Sequence, residues 1–225
     1  MSQPRQTFDF GIDLGTTNSA IAVLNGVTPK IIKNLLDDDI TPSAVSINKR
    51  HELVVGKSAK DKLKQNGRTD TQIEFKRVMG TQQSFTFKAA GMTKLPEELS
   101  AEILKALRAD VQRAMGEEPL AAVITVPAAF ETHQTSATMK AAKLAGFTQV
   151  ALLQEPVAAA LAYGFQATGD KAYWLVFDFG GGTFDDGHCP HKCRVWSQPT
   201  DGEVVYGSLC LCTIQCTRWD LDIAQ

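Results

Sequence analysis

Two stretches far apart in the chain carry the same pattern. FGIDLGTTNS, residues 10–19, and VFDFGGGTFD, residues 176–185, each run from apolar residues into an aspartate, then glycine, then threonine. The first supplies Asp13 with Gly15, Thr16, Thr17 and Asn18; the second supplies Asp178 with Gly180, Gly181, Gly182, Thr183 and Asp185. An aspartate ending a strand and followed by small residues lets backbone N–H groups and hydroxyls approach phosphate oxygens, while its carboxylate stays free to hold a hydrated Mg²⁺. Alone, either loop is more often a flexible turn. Facing each other, the two would clamp a triphosphate, and that requires a fold that brings two distant strand ends together. Neither is a P-loop, since no Gly-Lys-Ser/Thr follows the glycines, and no G-x-G-x-x-G opens a helix.

The periodicity between the loops predicts an α/β protein. TFDFGID (7–13) and NSAIAVLNG (18–26) read as strands, with VTPKIIK continuing after an Asn25-Gly26 turn signal. From 33 to 94 the pattern weakens into a polar turn, a short strand at AVSI, a helix over GKSAKDKLKQN, the segment IEFKRVMG and a β-like piece around SFTFKA. LPEELSAEILKALRADVQRAMG (95–116) is the clearest helix: Leu99, Ile103, Leu107, Val111 and Ala114 fall at helical spacing between Pro96 and Gly116. LAAVITV, THQTSATMKAAKLAG, TQVALLQ, EPVAAALAYGF and YWLVFDF then alternate strand, helix, strand, helix, strand, which implies a parallel or mixed sheet covered by helices.

Composition narrows the function. A hydrophobic content of 44% supports a buried core, and a net charge of −2 with acids and bases interspersed points away from nucleic acid and anionic lipid. MSQPRQTFDF has no apolar core of a secretory leader, and no segment is long and apolar enough to span a bilayer, so no membrane partner and a cytoplasmic location are expected.

GIDLGTTNS, EFKRVMG, ITVPAAF, QEPVAAALAYG and VFDFGGGTFD, in this order, resemble the N-terminal ATPase domain of the seventy-kilodalton heat-shock chaperones, the DnaK-like family. The resemblance covers roughly residues 7–185 and implies the actin-like ATPase fold, two lobes of ribonuclease-H-like topology with nucleotide between them. It implies ATP or ADP with Mg²⁺, a monovalent cation such as K⁺, and hydrolysis of ATP. By position, Asp13 and Asp178 match the acids that hold Mg²⁺ through water, and Thr16, Thr17 and the glycines 180–182 match the phosphate cradle. Lys76 matches the lysine that orients the attacking water and offsets charge at the γ-phosphate. Glu155 matches the acid beside the cleft, Thr183 and Asp185 those that position water and the monovalent cation, and Pro127 the proline linking nucleotide state to a second domain. Family partners are a J-domain co-chaperone, a nucleotide exchange factor and unfolded client proteins; the peptide-binding domain is absent from this chain. On this basis residues 1–170 are the first lobe with 33–94 as an inserted subdomain, 171–186 begin the second lobe with its phosphate loop, and 187–225 are a divergent tail.

Each residue also has an ordinary reading. Lys76 in a mixed-charge segment is otherwise a solvated lysine, Glu155 before Pro156 favours a helix N-terminus, Pro127 ends a strand, and Asp13 and Asp178 could form turns. Two positions depart from the family: Thr135 stands where an arginine is common, and Ala129 where an aromatic is usual.

Beyond Asp185 the family pattern stops. Residues 1–188 contain no cysteine, and all five fall at 189, 193, 210, 212 and 216. Such a break, with no linker, is what a shifted reading frame or a mis-assigned gene end would produce. His188, Cys189, His191 and Cys193 are zinc-type ligands, but Cys210-x-Cys212 is too tight for an ordinary knuckle, and disulfides are disfavoured in the cytoplasm. Two functions are therefore carried forward: an ATPase domain of a chaperone, and a truncated lobe that turns over nothing. Sugar kinases and actin-like filament proteins share the fold, but EFKRVMG and QEPVAAALAYG fit the chaperone branch better.

Overall fold

The computed structural model describes residues 3–66 and 69–162, and the backbone of two later strands. In chain order, β1 (Gln3–Arg5) precedes a meander of β2 (Phe10–Leu14), β3 (Asn18–Asn25) and β4 (Thr28–Ile31). Next come β5 (Thr41–Pro42), β6 (Ala44–Ile47), β7 (Leu53–Val55), helix α1 (Lys57–Asn66), β8 (Thr71–Ile73) and a 3-10 turn over Phe75–Val78. A hairpin of β9 (Phe85–Phe87) and β10 (Met92–Lys94) leads to α2 (Pro96–Met115). The chain continues through β11 (Glu117–Pro119), β12 (Ala121–Val126), α3 (Thr132–Leu144), β13 (Gln149–Gln154) and α4 (Glu155–Ala162). The backbone strands β14 (Tyr173–Phe177) and β15 (Val204–Ser208) pair in parallel. No helix among the described residues is long and apolar enough to cross a membrane.

The central sheet runs β13-β12-β2-β3-β4, with β5 also on β3. β2, β3 and β4 are antiparallel, whereas β12 is parallel to both β2 and β13. The alternation of side chains fixes which face is covered. Phe10, Ile12 and Leu14 of β2, Ile21 and Val23 of β3 and Ile124 of β12 share one core cluster with Leu99, Ile103, Leu104 and Leu107 of α2 and Ala141 and Ala142 of α3. Each leucine or isoleucine so buried contributes about 1.5–3 kcal/mol relative to exposure. Val45, Ile47, Phe75 and Phe87 belong to the same cluster, so the segment between the meander and α2 shares its core, with Phe75 and Phe85 packed edge to face at 6.4 Å.

Within the described residues the expected elements form, with informative shifts; the ends of the expected helix at 163–165 and strand at 178–179 lie outside them. α2 opens with Pro96 in its first turn and a backbone N–H of Leu95 donating to Glu98 Oε2 at 2.7 Å, and closes on Gly116 at φ 69°. Ala114, expected on its apolar face, is exposed, and Met115 packs against the core in its place, because four residues after Val111 returns closer to the same face than three does. The expected strand 7–13 begins only at Phe10, just after Asp9, whose side chain accepts from Arg5 at 2.7 Å. Gln3–Arg5 instead form β1, parallel to β11, where Arg5 also reaches Glu117 at 2.8 Å. The β3–β4 loop is Gly26-Val27, one residue beyond the Asn25-Gly26 signal, with Gly26 at φ 68°.

Arg108 of α2 ties three elements together. It donates to the carbonyls of Pro119 (3.1 Å) and Ala145, pairs with Glu118 at 2.7 Å and lies 5.3 Å from the Phe147 ring centroid. Gly146 has φ 90°, and a Cβ there would stand 2.3 Å from Arg108 Nη1. Gly146→Ala should therefore lower stability by about 1–3 kcal/mol, through the left-handed backbone and the displaced guanidinium; an unchanged urea midpoint would show that neither opposes a methyl group.

Asp110, on the same helix and only 6% exposed, accepts from Arg113 at 2.8 Å and from the backbone N–H of Leu35. Burial raises its pKa; those two donors oppose the rise but do not cancel it. The folded state thus holds this proton more tightly than the unfolded chain, and the associated stability is present at low pH and lost as pH rises through the raised value. Asp110→Asn should gain stability relative to the parent from about pH 4 upward, read as a diverging pair of denaturation midpoints across a pH series; parallel curves would contradict it.

Candidate functional site

Because β2, β12 and β13 are mutually parallel, their carboxyl ends open on one edge of the sheet. Asp13 is the penultimate residue of β2, Pro127 follows β12, and Glu155 follows β13 as the first residue of α4. Phe10, Ile12 and Leu14 point to the core, so Asp13 points to the other face. There Thr125 of β12 donates to its Oδ1 at 3.3 Å.

The turn after Asp13 is tight. A Cβ on Gly15 would lie 2.1 Å from the carbonyl oxygen of Asn18, so a residue with a side chain cannot keep this backbone. Ser43, at the start of the next strand pair, staples the turn: its hydroxyl donates to the Gly15 carbonyl at 2.7 Å and its N–H to the Thr17 carbonyl at 2.8 Å. Its oxygen also lies 2.9 Å from the Ser19 hydroxyl. Thr17 Oγ1 is buried, and no hydrogen-bond partner for it lies among the described residues. Thr16 and Asn18 are half-buried in the same turn.

Lys76 enters from the 3-10 turn over Phe75–Val78. Glu74 precedes it at φ 59°, a left-handed conformation uncommon for a non-glycine residue. Lys76 is 5% exposed, donates to Glu155 Oε1 at 2.8 Å and has its Nζ 5.7 Å from the Phe130 ring centroid. Phe130 closes the turn after β12, its N–H donating to the Pro127 carbonyl at 3.0 Å.

Lys76 and Glu155 are close enough to act on Asp13. Burial pushes the Asp13 carboxyl up, the Lys76 ammonium pulls it down, the Glu155 carboxylate pushes it up, and the Thr125 hydrogen bond pulls it down; the net direction is up. The described part of the site therefore holds two acids and one base at a sheet edge, beside a small-residue turn with an unanswered hydroxyl. Such a set suits a ligand that brings acceptor oxygens to the turn and a cation to the carboxylates.

The structure thus brings together Asp13, the Gly15–Asn18 turn, Lys76, Glu155 and Pro127. Asp178, Gly180, Gly181, Gly182, Thr183 and Asp185 lie outside the described residues, immediately beyond the end of β14, as do the cysteines and histidines of the tail. Among the described residues no group of three or more His, Cys, Asp or Glu could hold a metal ion by itself. Sequence reasoning missed Ser43, Thr125 and Phe130. Ser43 had a faint signal, the Thr-Pro-Ser opening of a strand; the other two lie within the motif ITVPAAF, but their roles arise from strand pairing and chain reversal.

The family model described as Hsp70 protein matches residues 9–187. Two relatives, each named chaperone protein DnaK, align over 175 residues covering 78% of this chain. That of Mycoplasmopsis pulmonis (strain UAB CTIP) is 43% identical, and that of Halobacterium salinarum (strain ATCC 29341 / DSM 671 / R1) 44%. The chain spans little more than a quarter of their length, 28% and 27%.

The Lys76–Glu155 pair is accessible to measurement without a ligand. With the ammonium almost wholly buried, losing either partner strands a charge. A double-mutant cycle of Lys76→Met and Glu155→Gln, read by chemical denaturation, is expected to give a coupling of about 1–3 kcal/mol; additive effects would mean that the pair does not form in solution.

Proposed function

The chain belongs to the Hsp70 family, with its actin-like α/β ATPase fold, and on that premise we propose that it binds ATP with Mg²⁺ and hydrolyses the bond between the β- and γ-phosphates. The observation that carries this reading is the convergence of Asp13, Lys76 and Glu155 at the carboxyl ends of three parallel strands, beside a turn whose Gly15 admits no Cβ and whose Thr17 hydroxyl is buried without a partner among the described residues.

In this reading the Gly15–Asn18 turn offers backbone N–H groups and the Thr17 hydroxyl to phosphate oxygens, with Thr16 beside it. Asp13 and Asp178 would hold magnesium through water, and the ion would neutralise charge on the phosphates. Lys76, fixed by Glu155, presents an ammonium to the charge that develops during transfer and orients the attacking water. Glu155 keeps that ammonium in place. Burial makes the assembly stronger than it would be in water. Gly180, Gly181, Gly182 and Thr183 would complete the cradle from the opposite side, and Asp185 would help to place water and a K⁺ ion.

As part of a protein of the relatives' length, the segment would work with a J-domain co-chaperone, a nucleotide exchange factor and unfolded clients in the cytoplasm. We further propose the division of the chain drawn from the sequence, a first lobe to residue 170 with an insert over 33–94, and a second lobe begun at 171–186.

A second reading, carried from the sequence, is a catalytically inert lobe; the family match covers residues 9–187. The product would then be a lobe that folds and turns over nothing. Isothermal titration of the full chain with ATP·Mg separates the two. A Kd below about 10 μM, abolished by Asp13→Ala, together with hydrolysis that Lys76→Ala reduces at least about 100-fold, is the expected result. Heats indistinguishable from dilution would establish the inert lobe.

A further inference from the structure

Among the described residues Lys76 forms one ion pair, with Glu155, and one hydrogen bond does not fix the direction of an ammonium. The lysine stem has four rotatable carbons and three equivalent donors, so a single carboxylate sets a distance and leaves the group free to swing about it. The second contact is the ring of Phe130, with Nζ 5.7 Å from its centroid, within the range of a cation–π attraction.

A ring face restrains an ammonium differently from a second acid. It attracts the charge without accepting a full hydrogen bond, so the remaining N–H groups stay available to a ligand; a second carboxylate would bind them and cancel the charge. The ring is itself held. Its own N–H closes the turn onto Pro127 at 3.0 Å, and the chain runs directly into α3 at Thr132. The first turn of α3 in turn meets the lysine-bearing segment: Gly80 has φ 76°, and a Cβ there would lie 2.7 Å from the His133 carbonyl oxygen. The two segments therefore touch at a second point, independent of the ring. Ala129, the neighbouring position, is exposed and carries only a methyl group, so Phe130 is the one aromatic residue of the Pro127–Phe130 turn.

We propose that Phe130 is a positioning residue that directs the Lys76 ammonium for hydrolysis while contributing little to nucleotide binding. This rests on the reading that the site binds and hydrolyses ATP. The relevant variants are Phe130→Leu, which keeps apolar bulk and removes the π face, and Phe130→Tyr, which keeps the face.

In the full chain with ATP·Mg, Phe130→Leu should slow single-turnover hydrolysis by about 3- to 30-fold, the range of a partly desolvated cation–π contact. The Kd for ATP should stay within about 2-fold, and Phe130→Tyr should restore the rate. A nuclear magnetic resonance readout is independent of turnover: the Lys76 ε-methylene protons should show an upfield ring-current shift that Phe130→Leu abolishes and Phe130→Tyr retains. A parental chain that shows this shift but hydrolyses no ATP would defeat the proposed function while supporting the ring contact. Absence of the shift, an unchanged rate in Phe130→Leu, or equal loss of rate and affinity without rescue by tyrosine would overturn the positioning role.

Discussion

Parallel pairing of β2, β12 and β13 is the constraint from which the site follows. Parallel strands need crossover connections: α2 lies on the path from β2 to β12, and α3 carries the chain from β12 to β13 and packs beside α2 on the same face. The same pairing sends all three carboxyl ends to one edge. Residues that follow strands at that edge, Asp13 nearly at the end of one and Glu155 just after another, are neighbours in space although they come from opposite ends of the described chain. Lys76 completes the group because Phe75 beside it is buried in the core cluster that also contains α2, which anchors the turn that carries the lysine.

The parity of β2 then decides which chemistry faces outward. Phe10, Ile12 and Leu14 are buried, and Gly11 and Asp13 alternate with them. A register slip of one residue would drive the carboxylate into the core and expose three large apolar side chains, so the hydrophobic pattern that stabilises the sheet also aims the acid. The outward face carries Gly11, Ala22 and Val123 in paired positions and is lined further by Phe8 and Leu24, a shallow groove next to the row that holds Asp13, Ala20 and Thr125. Among the described residues, helices α2 and α3 share the core on the face opposite this groove.

Local signals in the sequence carried the long elements. Proline, early acids and a terminal glycine bounded α2 to within a residue or two, since caps and helical period are written in consecutive residues. The β1–β11 pairing left no such trace: Gln3–Arg5 is a polar tripeptide containing proline, held by backbone bonds from Gln3 N–H to Gly116 and from Leu120 N–H to Arg5, with the Arg5 side chain bridging Asp9 and Glu117. The environment of Lys76 was equally hidden. A lysine in a mixed-charge segment reads as solvated, and only resemblance to a family motif marked it; its burial comes from Glu155 and Phe130, each more than fifty residues away in sequence. The roles of Ser43 and Thr125 were hidden for the same reason, because a hydroxyl acquires a role at such a site only when pairing brings its acceptor alongside. The second half of the repeated pattern, from Asp178 onward, falls outside the described residues, so the pairing of the two loops stands on the sequence pattern and the family.

Charge explains why these three groups favour one kind of ligand. Asp13 and Glu155 bring two negative charges and Lys76 one positive, within a site where burial already penalises an ionised carboxyl. Burial above all raises the Asp13 pKa, and the Lys76 ammonium, paired with Glu155, lowers it without cancelling that rise. A bound anion alone would add to the rise. A cation would oppose it, and a cation carried by an anion whose oxygens find donors in the turn would satisfy both sides together. Magnesium triphosphate has that composition. On the proposed reading, the negative charge at Asp13 would disfavour the phosphate chain without its metal, and the protein's own groups would then select the metal complex.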